Sequence, residues 1–321
     1  MTITAKIIAD SISPKGIRLT TMQLRYPKFI HGEAKTHRVM RIGDKTYEFL
    51  EEVGFMDDPN LSRNASSSRA IPVERMIEDV MRDPAMPVFW GKNQAGMQAR
   101  EELLPGDIRA AKHQWLIARE DAVSGARRMH ELGVHKQIVN RIIEPWLHIN
   151  VVVTATEWAN FYALRRHPDA QPEIKALADA MWEAQQASTP ERLQPGQWHL
   201  PYFDLRKDVN LLPTRPEGDV TPWSDWFNTL AIKVSVARCA RVSYLTHDGK
   251  QPNVEEDLKL HDRLVGSTPL HASPAEHQAT PDDMHYVEGA WLDWRTPREH
   301  GNLRGWRQYR KMLPNENVRD R

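Results

Sequence analysis

Cysteine is nearly absent: the chain of 321 residues has one, Cys239. That excludes an internal disulfide framework and any metal site built from several thiolates, and it points to a reducing cytoplasm, that of a host cell for a viral protein. An excess charge of one sign is missing too. Lys plus Arg and Asp plus Glu both number 43, so no global field draws the chain to nucleic acid or to a membrane surface. No stretch approaches the roughly 20 apolar residues that span a bilayer, and "MTITAKIIADSISPKG" lacks the continuous apolar segment of a secretory signal. A soluble protein with no membrane or nucleic-acid partner is expected. Several chemistries are also missing. There is no Gly-rich dinucleotide fingerprint, no Walker-type loop, no G-x-S-x-G elbow and no H-E-x-x-H pair. With scattered histidines and one thiol, no metal site is expected.

Apolar periodicity is plentiful. "GIRLTTMQLRYPKFIHGE" alternates at strand spacing, with Pro27 expected at an edge or bulge. "GDIRAAKHQWLIAREDAVSGARRMHELG" reads as one long helix ending at Gly133, and "DKTYEFLEEVGF" as a short one. "ATEWANFYALRRH" sets Trp158, Phe161, Tyr162 and Arg165 on one helical face, and "QPEIKALADAMWEAQQA" does the same with Ile174, Leu177, Ala178, Met181 and Trp182. Helices are also expected in "PVERMIEDVM", "WFNTLAIKVSVARCARVSY" and "NVEEDLKLHDRLVG", with a Pro-rich, loop-like region between residues 188 and 223 and a frayed tail, "NVRDR". The expected fold class is α+β, mostly helical with a modest antiparallel or mixed sheet, in a single domain.

Four stretches carry more polar and basic residues than core packing demands. "SRNASSSRAIP", Ser62 to Pro72, sets three serines between Arg63 and Arg69 and admits two readings. Small residues, hydroxyls and guanidinium forks suit an anion site; a Ser-rich turn can equally cap the helix that follows, with Pro72 in its first turn. With "EAKTHR" (Glu33 to Arg38) before it, this serine stretch is the first; the others are "NRIIEPW" around Arg141, "EWANFYALRRHPDAQPEI", and the pair "RCARVSY" and "HASPAEHQATP". Taken singly, Arg165 suits a snorkelling structural role, Arg141 a helix C-terminus and His277 a local pair.

Together these stretches resemble the flavin-dependent thymidylate synthases. That family's Arg-His-Arg followed by Ser-x-Asn-Glu-x-Ser-x-Arg is matched by Thr36-His37-Arg38 and "SRNASSSR", split by an apparent insertion at residues 41–61. Its Asn-helix block leading to Ala-Gln-x-Glu-Ile is matched by "NFYALRRHPDAQPEI", and its "ARVSY" and Ser-Pro-Phe-Glu-His blocks by "ARVSYLTHDG" and "SPAEHQATP". The last two blocks follow the Arg-His-Arg block here and precede it in the commoner members, a circularly permuted order as in some viral relatives. Residues 85–135 and 185–230 match no block.

The resemblance implies reductive methylation of deoxyuridine monophosphate (dUMP) to dTMP. It implies FAD as cofactor, NADPH and methylenetetrahydrofolate as co-substrates, and a homotetramer with shared active sites. It assigns Ser66, Ser67, Ser68 and Arg69 to the nucleotide's phosphate and sugar, with Glu33 and Arg141 as further nucleotide contacts. Arg165 would stabilise the N3-deprotonated uracil and polarise C5. Thr36, His37, Arg38, Asn64, Asn160, Ser243 and His277 would contact FAD. No enzyme thiolate is needed, although Arg238 and Arg241 beside Cys239 could lower a thiol pKa. Thr36 replaces the first motif arginine, Ala65 the motif glutamate, and Asp169 a common histidine. An enzyme making another C5-modified pyrimidine nucleotide, such as a hydroxymethyl product, and a non-catalytic nucleotide- or RNA-binding relative are the alternatives.

Overall fold

In the computed structural model, residues 3–32, 62–96, 98–244, 253–268, 270–287, 291–314 and 316 are described. The short helix expected in "DKTYEFLEEVGF", the insertion at 41–61 and the tail lie outside them. In chain order the elements are β1 (Thr4–Ile12), β2 (Arg18–Pro27), β3 (Ser62–Ala65), α1 (Val73–Arg82), α2 (Pro105–Glu131), α3 (Lys136–Ile142), β4 (His148–Ala155), α4 (Ala159–Arg165), α5 (Pro172–Gln186), β5 (Glu191–Arg192), α6 (Leu205–Asp208), α7 (Trp223–Tyr244), α8 (Val254–Val265), β6 (Ala279–Pro281), β7 (Met284–Val287), β8 (Trp291–Trp294), β9 (Trp306–Gln308) and α9 (Tyr309–Met312). The architecture is α+β and mostly helical. No helix among the described residues is long and apolar enough to cross a membrane.

The main sheet runs β3-β4-β2-β1-β5 and is antiparallel except where β5 joins β1. β2 pairs with β4 along its length, from Thr20 against Ala155 to Pro27 against His148. Pro27 therefore closes the strand, and the sheet's irregularity falls on β1, between Ile7 and Ala9. Alternation gives the sheet two faces. Met22, Leu24, Tyr26, Ile149, Val151 and Val153 form one, packed against Ile174, Leu177 and Met181 of α5 and against Trp158. Each such buried side chain contributes about 1.5–3 kcal/mol. Trp182, expected in that stripe, is instead half-buried beneath the Arg166 guanidinium, 4.1 Å from the ring centroid. Thr21, Thr154, Ser62 and Asn64 occupy the other face, toward α7 and the turn Ser273–Glu276.

A second core holds α1 against α2 and α3 through Met76, Ile77, Val80, Val123, Ala126, Val139 and Trp146. α2 ends where expected, with Gly133 in the left-handed region at φ 81°. Pro72 is the N-cap of α1 and not its first helical residue, and no side chain caps that helix. The Ser-rich turn thus does not act as a cap.

Candidate functional site

β2 and β4 end side by side at Pro27 and His148, and α1 crosses beside that end after the loop at residues 66–72. Between them lies a cleft of about 270 Å³. Gln23 and Arg25 of β2, Lys28, Ser66, Ser68, His148 and Asn150 line it from the sheet side; Arg75, Asp79, Arg82 and Asp83 line it from α1.

The loop is shaped by its own serines. Ser66 N–H donates to the Asn150 carbonyl (2.8 Å), and Asn150 N–H donates to Ser66 Oγ (3.1 Å), so the strand pairing extends one residue past β3. Asn140 Nδ2 donates to the carbonyls of Ser68 (2.7 Å) and Ile71 (3.0 Å), which ties the loop to α3. Ser68 Oγ donates to Glu144 Oε1 at 2.8 Å. The same carboxylate accepts from Lys28 Nζ at 2.5 Å and from Arg141 Nη1 at 3.1 Å. Burial alone would raise the Glu144 pKa, but Lys28, Ser68 and Arg141 outweigh it and hold the carboxyl below its ordinary value. Glu144 therefore gathers Ser68, Arg141 and Lys28 at one edge of the cleft. Arg69 is exposed beside them, and Ser67 Oγ accepts from the Arg69 N–H at 3.3 Å.

At the floor, Arg25 Nη2 donates to Asp83 (2.6 Å) and to His148 Nδ1 (2.9 Å). A guanidinium can only donate, so Nδ1 accepts and the ring proton sits on Nε2. Burial, then the charge of Arg25, pushes the His148 pKa down to about 4, so the ring is neutral at physiological pH. Its Nε2 is buried with no hydrogen-bond partner among the described residues.

The other expected site residues lie elsewhere. Asn64 is buried on the α7 face, its Nδ2 donating to the Cys239 carbonyl at 2.7 Å. His277 is fully buried on the same side, with Nδ1 on Thr154 Oγ1 at 2.8 Å and Nε2 without a partner among the described residues. Asn160 and Arg165 belong to α4, past the far end of β4, and Arg165 Nε is likewise buried without a hydrogen-bond partner among the described residues. Ser243 falls in the last turn of α7, and Asp169 is exposed. Glu33, Thr36, His37 and Arg38 lie outside the described residues.

The structure thus brings Ser66 and Ser68 to one cleft, ties Arg141 to Ser68 through Glu144 beside it, and leaves Asn64 with His277, and Asn160 with Arg165, in two other places. The described residues of one chain suit an oxyanion, with four cations against two carboxylates in the cleft lining. Of the residues expected at FAD, Asn64 bonds the Cys239 carbonyl, His277 bonds Thr154, and Asn160 sits on α4.

Residues 74–191 match the family model Thy1, thymidylate synthase complementing protein. This is the flavin-dependent thymidylate synthase family that the sequence resembles. The matched segment opens in α1 and closes at β5, so it contains Arg141, Asn160 and Arg165. It excludes the Ser66–Arg69 loop and His277, and it covers well under half of the chain. Among solved structures, the chain is similar to a UMP/dUMP methylase, PolB from Streptomyces cacaoi. The structure bound with 5-Br dUMP is 14% identical, over 57% of this chain and 89% of that one, with a TM-score of 0.39. The structure bound with 5-Br UMP is 18% identical, over 57% and 88%, with a TM-score of 0.35. No curated protein matches the chain.

Lys28, Glu144, Arg25, Gln23 and His148 were not singled out from sequence. Glu144 lies within "NRIIEPW", three residues after Arg141, while Gln23, Arg25 and Lys28 lie within the strand-like stretch "GIRLTTMQLRYPKFIHGE". These three and His148 meet only through the β2–β4 register.

Proposed function

We propose that the chain is a flavin-dependent thymidylate synthase-type enzyme that methylates C5 of dUMP to give dTMP. FAD is its cofactor, and NADPH and methylenetetrahydrofolate are its co-substrates. It works as a homotetramer of single-domain chains in the cytoplasm. The observation that carries this reading is the cationic cleft at the Ser66–Arg69 loop, which opens directly into the Thy1-matching segment. Ser66 Oγ, Ser68 Oγ and the guanidiniums of Arg69 and Arg141 bind the phosphate and sugar, with Ser67 and Glu33 completing the contacts. Lys28 neutralises Glu144, so the carboxylate orients Ser68 and Arg141 without repelling the nucleotide. Arg165 holds the uracil anion, a task for a guanidinium that stays protonated.

Incubation with dUMP, NADPH and methylenetetrahydrofolate, followed by product mass, tests the reading. The expected result is dTMP from a yellow protein with flavin absorbance. A second reading, a hydroxymethyl or other C5-modified nucleotide, is favoured by Ala65. Where the family motif has glutamate, this residue packs against the apolar face of the sheet, so a pocket carboxylate is missing. Product mass separates the two, and a colourless protein that binds nucleotide without turnover would favour a non-catalytic relative.

A further inference from the structure

Five buried side chains stand in single file between β1 and the turn that precedes His277. Ser11 Oγ meets His199 Nδ1 at 2.8 Å, and His199 Nε2 meets Thr21 Oγ1 at 2.8 Å. Thr21 Oγ1 meets Thr154 Oγ1 at 2.6 Å, because β2 and β4 pair in that register, and Thr154 Oγ1 meets His277 Nδ1 at 2.8 Å. Among the described residues neither threonine hydroxyl has a further partner, and Ser11 Oγ has only His199. Both imidazoles are neutral, because burial pushes each pKa down to about 3. A neutral ring carries one N–H and one bare nitrogen, and a hydroxyl has one proton to give. Each link therefore takes one proton, and the choice at His199 decides every link after it. With the His199 proton on Nδ1, that ring donates to Ser11 and accepts at Nε2. Thr21 then donates to His199, Thr154 to Thr21, and His277 from Nδ1 to Thr154. This order leaves two groups unpaired, the Ser11 hydroxyl proton and a bare His277 Nε2. With the His199 proton on Nε2, Ser11 donates to His199, His199 to Thr21, Thr21 to Thr154 and Thr154 to His277 Nδ1. Only the His277 Nε2–H is then without a partner among the described residues. Unlike tautomers at the two rings would put two protons into the threonine–threonine link or leave some link with none.

We propose that Ser11, His199, Thr21 and Thr154 are positioning residues for His277: their proton order fixes its Nε2–H tautomer and makes that nitrogen a neutral hydrogen-bond donor, not a base. One more unpaired buried group disfavours the opposite order by roughly tenfold or more. The proton order follows from the hydrogen bonds alone and does not depend on the substrate. The resemblance assigns His277 to FAD, and an unpaired, buried N–H suits an acceptor atom of such a ligand; that one step rests on the flavin reading. His277 then gives the ligand a hydrogen bond without a charge and without taking up its proton.

The test is solid-state NMR of the full chain with isotope-labelled histidine near neutral pH, which reports whether each ring nitrogen carries a proton. The two rings are assigned by the signals lost in His199→Gln and His277→Gln, and melting temperatures are taken on the same samples. Wild type is expected to show the Nε2–H tautomer at both rings. Ser11→Ala removes the hydroxyl that separates the two orders, which then leave equal numbers of groups unpaired. The Nδ1–H form of His277 should therefore rise from about a tenth or less to a comparable share, although the substitution lies at the far end of the file. Thr21→Val cuts the file but leaves Thr154 to donate to His277, so adding Ser11→Ala in that background should change nothing at His277. Unlike tautomers, Nδ1–H at both rings, or a doubly protonated ring in wild type would overturn the proposal without any variant. So would a His277 tautomer that ignores Ser11→Ala in a folded protein. Matched Nε2–H tautomers in a chain that binds no FAD would uphold the proton order and sink the flavin reading instead.

Discussion

Arg238 and Arg241 flank Cys239 in the sequence, an arrangement that can turn a thiol into a nucleophile. The fold directs both guanidiniums elsewhere. Arg238 spans Asp208 and Asp257, and Arg241 Nε reaches the other oxygen of Asp257 at 2.8 Å. Cys239 is fully buried, and burial pushes its pKa up, so the sulfur stays protonated and unreactive. Cys239→Ser is expected to keep turnover near wild type and to cost stability of about 1–3 kcal/mol for a buried hydroxyl. Steady-state rates beside denaturant melts check this; a folded, flavin-bound variant without turnover would place a thiolate step in the mechanism. Arg69 is the opposite case. Its exposed side chain adds little to the fold, so Arg69→Ala should leave the melting temperature alone while weakening dUMP binding by about 1.5–3 kcal/mol. Unchanged affinity in titration calorimetry would remove Arg69 from the site. Neither residue's environment is visible in the sequence, because that of Cys239 depends on α6, α7 and α8 packing together and that of Arg69 on the loop that Asn140 of α3 holds.

The helices were the legible elements. α2, α5, α7 and α8 announce themselves by apolar period and by punctuation such as Gly133. The strands were less so. β4, "HINVVVTA", is a nearly unbroken apolar run because β2 and β3 flank it and both its faces are covered, which removes the alternation that marks a strand. β3 has four residues, too few for a period, and β6 to β9 are as short or shorter. The polar seam that joins the sheet to the later loops was equally hidden. Ser11 Oγ meets His199 Nδ1 (2.8 Å), His199 Nε2 meets Thr21 Oγ1 (2.8 Å), Thr21 meets Thr154 (2.6 Å), and Thr154 meets His277 (2.8 Å). Burial pushes both histidines down to about 3. Above the ordinary histidine pKa near 6.5, both are neutral whether folded or unfolded, and their full stability contribution is present. As pH falls from about 6.5 toward 3, the unfolded chain takes up protons that the native seam refuses. Stability then drops by about 1.4 kcal/mol per pH unit for each histidine. Urea melts from pH 7.5 to 5 should show this decline, and His199→Gln should make it shallower. Equal slopes for variant and wild type would mean that His199 is protonated in the native state.

Across the whole molecule, the separation of the site residues becomes an argument about assembly. The cleft lies at the His148 end of β4, where Asn150 pairs with Ser66, and α4 follows its Ala155 end, so roughly 17 Å of strand separates the serine loop from the point where the chain leaves for α4 and Arg165. That separation favours the proposed tetramer, in which neighbouring chains would bring the two to one nucleotide. Leu104, Ile117, Leu132 and Ile138, all exposed along α2, α3 and their flanks, supply apolar surface for such contacts. Arg165→Lys should keep fold and flavin but lose turnover by roughly a hundredfold, since lysine lacks the planar fork. Arg69→Ala fails at the other half of the site. If each site takes its serine loop from one subunit and Arg165 from another, co-refolding the two variants in equal amounts rebuilds fully native sites in about a quarter of cases under random assortment. The measurement is dTMP formation by the mixed oligomer against each variant alone, with light scattering on the same sample. Recovered activity in a tetramer is the expected outcome. Mixed tetramers no more active than the better single variant would confine Arg165 to its own chain, and the nucleotide would then have to bind at α4 and not at the Ser66–Arg69 cleft.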